Sequence, residues 1–162
     1  FLIQNLVNEF STYARLPKAN ITKLNLSEIC LVYIDEYKRN YDKITINNNI
    51  EDKLFINFDH SYLDIIFNNL FKNSIEALVS TKNPIIDISL KKTNNHLILT
   101  FFDNGPGYDG DIDDLIKPYF STKNSSGLGL SLINKIITDN SYKMNITTNS
   151  YSGFKIEIIF YD

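Results

Sequence analysis

The chain has 162 residues, 43% of them hydrophobic and 22% charged, which is enough apolar material to bury the core of one domain. A formal net charge of -3, with no dense Lys or Arg cluster, excludes nucleic acid or an anionic membrane surface as the main partner. No apolar run approaches the ~20 residues that cross a bilayer. Cys30 is the single cysteine, which excludes an intrachain disulfide and a cysteine-rich zinc site and reads as a buried small hydrophobe. The chain opens at Phe1 without an initiator Met or a signal-peptide pattern, so it is expected to be a piece of a longer protein.

Residues 1–15 repeat apolar groups at Ile3, Leu6, Val7, Phe10, Tyr13 and Ala14, the spacing of a helix with one oily stripe. Pro17 ends it, and residues 17–20 read as a linker, because proline disfavours helical geometry in the residue before it. Residues 21–26 alternate as a short strand, and Ser27 is the expected N-cap of a helix to about Asn40. Residues 43–50 and 54–58 alternate again, predicting two strands joined by a turn over residues 48–52. Asp59 is expected to cap a helix over residues 60–80, whose Leu63, Ile66, Phe67, Leu70, Ala77 and Leu78 share one face. Ser74 is the small polar exception on that face.

Residues 85–92 and 97–102 predict an antiparallel hairpin. Residues 104–126 keep no steady period, and so long an irregular stretch in a compact domain is functional or disordered. A helix over residues 128–139 and strands at residues 143–148 and 154–160 complete the order. The expected fold is an α/β two-layer sandwich, a mixed sheet with helices on one face.

Three strings in this framework can carry chemistry. In Asn69-Leu-Phe-Lys-Asn73 the two amides are four residues apart on one helix face, on the flank of the apolar stripe where a pocket wall would stand. Amide oxygens there can enter the coordination sphere of Mg²⁺, a hard cation that leaves room for water and phosphate. The bland alternative is two surface residues of an Asn-rich chain. In Asp103-Asn-Gly105-Pro-Gly107 a carboxylate stands where a strand leaves the sheet, able to accept from the exocyclic amine of adenine. Gly105 and Gly107 permit close backbone approach. The alternative, a simple turn, is weakened because no pairing strand follows. Gly127-Leu128-Gly129-Leu130 opens the last helix, with Ser125 and Ser126 available as caps, and the exposed amides and positive dipole end make a phosphate cradle. Mere capping would explain the glycines as well. Lys123, just upstream, can offer an ammonium to the β or γ phosphate or stay solvated.

Two other features are set aside. Asp109 to Asp114 imitates the start of a calcium loop, but the sixth position is Asp114 in place of Gly and the twelfth is Phe120 in place of Glu. His60 and His96, the only histidines, read as surface residues at a helix start and a hairpin turn.

In this order the strings resemble the catalytic ATP-binding domain of bacterial sensor histidine kinases, in the gyrase, Hsp90, histidine kinase and MutL superfamily. Asn69 to Ala77 is similar to the Asn box, Asp103 to Gly107 to the first glycine box, and Gly127 to Leu130 to the second. Lys117-Pro-Tyr-Phe-Ser-Thr-Lys123 is similar to the Phe-box region. Residues 7–17 resemble the end of the dimerisation helix of NtrY-type nitrogen-regulation kinases.

The resemblance implies a Bergerat-type sandwich over residues 21–162, with residues 1–16 as the end of the second dimerisation helix and about 104–126 as the ATP lid. It implies ATP and Mg²⁺ as cofactors, with Asn73 and Asn69 at the metal or phosphates and Asp103 at adenine. Gly105, Gly107, Lys123, Gly127, Leu128, Gly129 and Leu130 complete the nucleotide site, with Asn69, Asn73 and Lys123 catalytic. The implied reaction delivers the γ-phosphate to a His of the protein's own dimerisation domain and thence to a response-regulator Asp. The implied setting is a homodimeric, membrane-anchored kinase whose cytoplasmic part this is, with no membrane contact by this segment. With no phosphoacceptor motif present, the piece alone is not expected to autophosphorylate.

Three positions depart from the pattern: Glu76 stands where many relatives carry Lys, Asp139-Asn-Ser141 replaces a His-Gly-Gly, and Gly153-Phe154 replaces a Gly-Thr pair. Asn69 occupies the place of the Glu that polarises water in the hydrolysing members, and an amide cannot act as a base, which favours transfer to a side chain over steady hydrolysis. An anti-sigma-factor Ser kinase and a regulatory module without catalysis are the other readings. Arg15 and Arg39 are the only arginines, so the lid carries none.

Overall fold

The computed structural model describes residues 16, 18–121, 127–148 and 153–161. In chain order the elements are β1 (Thr22–Asn25), α1 (Leu26–Asn40), β2 (Thr45–Ile50), β3 (Phe55–Phe58), α2 (His60–Leu78), β4 (Ile85–Thr93), β5 (His96–Asp103), α3 (Ile112–Leu115), α4 (Gly129–Asp139), β6 (Lys143–Thr148) and β7 (Phe154–Tyr161). Five strands form a mixed sheet in the order β2-β4-β5-β7-β6, and β1 pairs with β3 in a separate antiparallel ribbon. Only β2 runs parallel to its neighbour β4.

Period-two alternation decides which face is covered. On β5, Leu97, Leu99, Phe101 and Asp103 are buried while Ile98, Thr100 and Phe102 are half-buried on the opposite face. Their partners across the β5–β7 ladder are Phe160, Ile158, Ile156 and Phe154. Ile86, Ile88 and Leu90 extend this inner face onto β4. Against it pack Leu63, Ile66, Phe67 and Leu70 of α2, Leu132, Ile133, Ile136 and Ile137 of α4, and Leu26, Cys30 and Ile34 of α1. Each such side chain contributes roughly 1.5–3 kcal/mol through burial. Aromatic stacking locks α1 to α2, with ring centroids 4.7 Å apart for Tyr33 and Phe67 and 3.8 Å for Tyr37 and Phe71. The result is a two-layer α/β sandwich with the helices on one face, as the hydrophobic pattern predicts. Cys30 is buried, and desolvation pushes its thiol up to about 12.

Several local expectations are corrected. The cap of α1 is Asn25, whose side chain accepts from the Glu28 amide, and Ser27 lies inside the helix. Ser27 is buried, donates to the Glu51 carbonyl at 2.6 Å and accepts from the Leu54 amide at 3.0 Å, so it pins the loop between β2 and β3. That turn falls at residues 51–54, with Lys53 in the left-handed region, not at 48–52, and the two strands it joins enter different sheets. Residues 18–20 are not a free tether: Ala19 packs on the core and the Asn20 amide donates to Asp59. The irregular stretch contains α3, capped by Asp111, whose Oδ1 accepts from the Asp113 amide at 3.0 Å. Within the calcium-like string Asp111 is thus a helix cap, and Asp114 pairs with Lys117 at 2.6 Å. The helix expected over residues 1–15 lies outside the described residues, as do Pro17 and the turn at 150–152.

Asp59 caps α2 as predicted, accepting from both the amide and the hydroxyl of Ser61. Burial raises its pKa, but the hydrogen bonds from Ser61 and from the Asn20 and Tyr62 amides outweigh burial and hold the carboxyl below its ordinary value. A group depressed on folding contributes stability that is present above its unfolded pKa, about 3.9, and is lost as pH falls through the lower folded value. Thermal melts between pH 7 and pH 3 should therefore show the wild type losing more stability below about pH 4 than Asp59→Asn does. Equal slopes would contradict this assignment.

Candidate functional site

Helix α2 presents its flank to the end of β5. Asp103 is the last residue of that strand and only 3% exposed. Its Oδ2 accepts from the Ser74 hydroxyl at 2.8 Å and its Oδ1 from the Gly105 amide at 3.0 Å. Burying a carboxylate costs several kcal/mol unless hydrogen bonds compensate, so these two donors are what fix it in place. An ionised carboxylate accepts and does not donate, so a ligand group that meets it must be a donor.

The glycines around Asp103 are sized by contact. A Cβ on Gly105 would stand 2.8 Å from Asp103 Oδ1 and 3.2 Å from the Ala77 methyl. Gly153 has φ +80, and a Cβ there would lie 2.1 Å from the Asp103 carbonyl oxygen. Asn104 clamps the corner, its Oδ1 accepting from the Ile85 amide at 2.7 Å and its Nδ2 donating to the Asn83 carbonyl at 3.0 Å.

The second half of the site lies at the start of α4. Asn69 Nδ2 donates to the Ile65 carbonyl at 2.7 Å, an acceptor that fixes the amide orientation and turns Oδ1 the other way. A Cβ on Gly129 would stand 2.8 Å from Asn69 Oδ1 and 3.6 Å from Asn73 Oδ1. Both amide oxygens therefore converge on the first residue of α4. The cap of that helix is Leu128, with no side-chain cap hydrogen bond, and its first turn carries the positive end of the dipole; the serine capping expected from Ser125 and Ser126 falls outside the described residues. Gly127, at φ +67, packs so closely that a Cβ would sit 2.6 Å from the Phe120 carbonyl oxygen, and its own carbonyl accepts from the Tyr119 amide at 3.1 Å.

Between these two ends lies a cavity of about 320 Å³, within the range of small-molecule sites. Leu70, Phe101, Phe154, Ile156, Leu130, Leu115 and Phe120 supply its apolar wall, and Asn73, Ser74, Glu76, Asp103, Tyr108 and Ser121 its polar points. Pro106, Gly107 and Gly127 close the rim. The Tyr108 amide donates to Thr148 Oγ1 at 2.9 Å, and its ring meets Phe120 edge-on at 6.1 Å.

Of the residues singled out from sequence, Asn73, Asp103, Gly107, Gly127 and Leu130 line this cavity. Asn69, Gly105 and Gly129 are not among its lining residues, but Gly105 stands against Asp103 and Ala77, and Gly129 against Asn69 and Asn73. Leu128 is buried at 2% exposure, so its side chain belongs to the interior and only its backbone faces the α4 terminus. Lys123, Ser125 and Ser126 lie outside the described residues. Sequence reasoning missed Phe154, Ile156 and Phe101 as wall residues and Ser74 as the partner of Asp103. A serine on an otherwise apolar helix face was the one available signal. His60 is exposed beside Asp64, with Nδ1 3.4 Å from Oδ1, and His96 meets the Tyr161 ring at the far end of β5; neither reaches the cavity.

A buried carboxylate at one end, an apolar slot, and paired amide oxygens at a helix N-terminus fit an adenine nucleotide. The class of protein follows from comparison. Residues 58–161 match the family of histidine kinase-, DNA gyrase B- and HSP90-like ATPases, and the chain belongs to that family. Among its relatives is the nitrogen regulation protein NtrY of Azorhizobium caulinodans, 25% identical over 85% of this chain and 19% of that protein. Among solved structures, histidine kinase ThkA in complex with response regulator TrrA is 22% identical, with a TM-score of 0.81 over 98% of this chain and 47% of that one. Full-length ShkA in complex with AMPPNP is 15% identical, with a TM-score of 0.80 over 98% of this chain and 35% of that one. The structural likenesses establish the shared fold, and this chain spans about a fifth of the NtrY relative's length.

Proposed function

We propose that this domain binds Mg-ATP in the cavity between α2 and the end of β5 and presents the γ-phosphate to a histidine of a dimerisation domain. From there the phosphate passes to an aspartate of a response regulator. The observation that carries the reading is the pairing of buried Asp103, held by Ser74 and Gly105, with two Asn oxygens gathered at the first residue of α4. The complexes of ThkA with a response regulator and of ShkA with AMPPNP support the partner and the ligand. A relative from Rickettsia bellii named as a putative sensor histidine kinase, of which this chain covers 26%, supports a role as the kinase part of a longer sensor protein; in this reading that protein is a homodimer anchored in the membrane with this domain in the cytoplasm.

Each residue has a definable task in this reading. Asp103 accepts from the exocyclic amine of the base, and the carbonyl of guanine in that place would repel it. Gly105 and Gly107 let the backbone approach the ring. Asn73 and Asn69 would hold Mg²⁺ or phosphate oxygens, while the amides from Gly127 to Leu130 and the Lys123 ammonium would take the rest of the phosphate charge. A bound Mg²⁺ supplies neutralisation of charge on the β and γ phosphates. Phosphoryl transfer asks a protein chiefly for position and electrostatics, and these groups offer both. Asn69 cannot take a proton from water, so the γ-phosphate is kept for a protein acceptor.

The test is phosphohistidine formation in the longer protein that carries the dimerisation helices. Labelled ATP should yield an acid-labile, base-stable phosphoprotein, and Asn73→Ala should slow it by on the order of 100-fold with the fold intact. Nucleotide binding with no such label would instead make this a nucleotide-binding regulatory module.

A further inference from the structure

The charges lining the cavity are one-sided. Among the described residues its wall carries two carboxylates, Asp103 and Glu76, and no Lys, Arg or His. Asp103 is engaged at the inner end by Ser74 and Gly105. Glu76 is half-buried and, unlike Asp103, has no hydrogen-bond or ion-pair partner among the described residues. It follows Asn73 by three residues on α2, so the two side chains are neighbours on one helix face. A free carboxylate therefore stands beside the amide that faces the α4 start, where the phosphates of the proposed nucleotide would lie.

We infer that Glu76 makes this site discriminate between metal-loaded and bare polyphosphates, an inference that rests on the nucleotide-binding reading above. A bare triphosphate meets the negative charge of this half-buried carboxylate, where Coulomb repulsion is screened less than in water. Once a divalent cation neutralises the phosphates, the same carboxylate becomes favourable, because it accepts hydrogen bonds from water held by the cation. A lysine at this position would act in the opposite sense, attracting any polyphosphate whether or not metal is bound. Glu76 thereby converts a general phosphate site into one that admits ATP chiefly as its magnesium complex.

The experiment is calorimetric titration with AMPPNP, in magnesium and in EDTA, of the wild type, Glu76→Gln and Glu76→Lys. The ratio of magnesium to EDTA affinity should fall by on the order of tenfold in Glu76→Gln, and further in Glu76→Lys, through tighter binding of the bare nucleotide. Identical ratios in all three would overturn the inference. A second arm needs no variant: in EDTA the wild type should bind AMP more tightly than AMPPNP, and the reverse order would also overturn it. Failure of the wild type to bind any adenine nucleotide in magnesium would overturn the nucleotide reading itself, whereas binding with an unchanged ratio removes only the role of Glu76.

Discussion

Asp103→Ala should lower affinity for a non-hydrolysable ATP analogue by about tenfold to a hundredfold and erase preference for adenine over guanine. The magnitude follows from loss of a hydrogen bond to a charged acceptor, worth roughly 1.5–3 kcal/mol, with tenfold in affinity for each 1.4. The substitution also strands the Ser74 hydroxyl and the Gly105 amide, whose acceptor it removes. Each stranded buried donor costs about 1–3 kcal/mol, so Asp103→Ala should melt earlier as well. Asp103→Asn separates the two effects. Its amide keeps an oxygen for Gly105 and a group for the rotatable Ser74 hydroxyl, so the fold is largely retained. Its nitrogen, however, offers a donor where the base amine needs an acceptor. Calorimetry on both variants, beside their melting curves, should show affinity lost in each and stability lost mainly in the alanine. Unchanged affinity in well-folded Asp103→Asn would place the base elsewhere.

Gly153→Ala is expected to be the most damaging single methyl in the domain, costing about 3 kcal/mol or more and lowering the melting midpoint by roughly 10 °C. The residue precedes β7 at φ +80, a conformation that L side chains rarely adopt, and the added Cβ would meet the Asp103 carbonyl oxygen at 2.1 Å. That atom is backbone, held in the β5–β7 ladder opposite Phe154, and cannot swing aside. Any relief must come from displacing the strand end that positions both Asp103 and Phe154, so nucleotide affinity should fall with stability. Gly110→Ala makes the comparison. There an equally short approach, 2.1 Å, is to the tip of the Tyr108 side chain, which can rotate away. It should cost less than about 1 kcal/mol. Equal losses at the two positions would show that strand packing at Gly153 does not control the site.

Much of this architecture was legible because periodicity is strong where burial is one-sided. The alternation of Leu97, Leu99 and Phe101 and the stripe from Leu63 to Leu78 named both layers, and Asp59 named the start of α2. Asn25 and Ser27 show where local signals mislead. Both are good capping residues, and a side-chain contact with a loop two dozen residues away decided that Ser27 goes inside. Strand pairing was legible for the hairpin of β4 and β5 and not beyond it, since β2 and β3 are consecutive yet join different sheets.

The site was readable as strings of residue types that chemistry needs, Asn69 and Asn73, Asp103, and the glycines from 105 to 129. Its apolar wall was not, because Phe154 and Phe101 alternate like any core strand residues. Nothing local marks which of them border a void. Ser74 lay between these cases: its polarity on an apolar face was visible, but its partner twenty-nine residues away was not.

The most direct measurement is titration of the wild-type domain with AMPPNP and with the corresponding guanine analogue, each with and without magnesium. One saturable site is expected, with adenine preferred by tenfold or more and binding strengthened by the metal. Equal affinity for the two bases, or no binding by a protein that melts cooperatively, would contradict it.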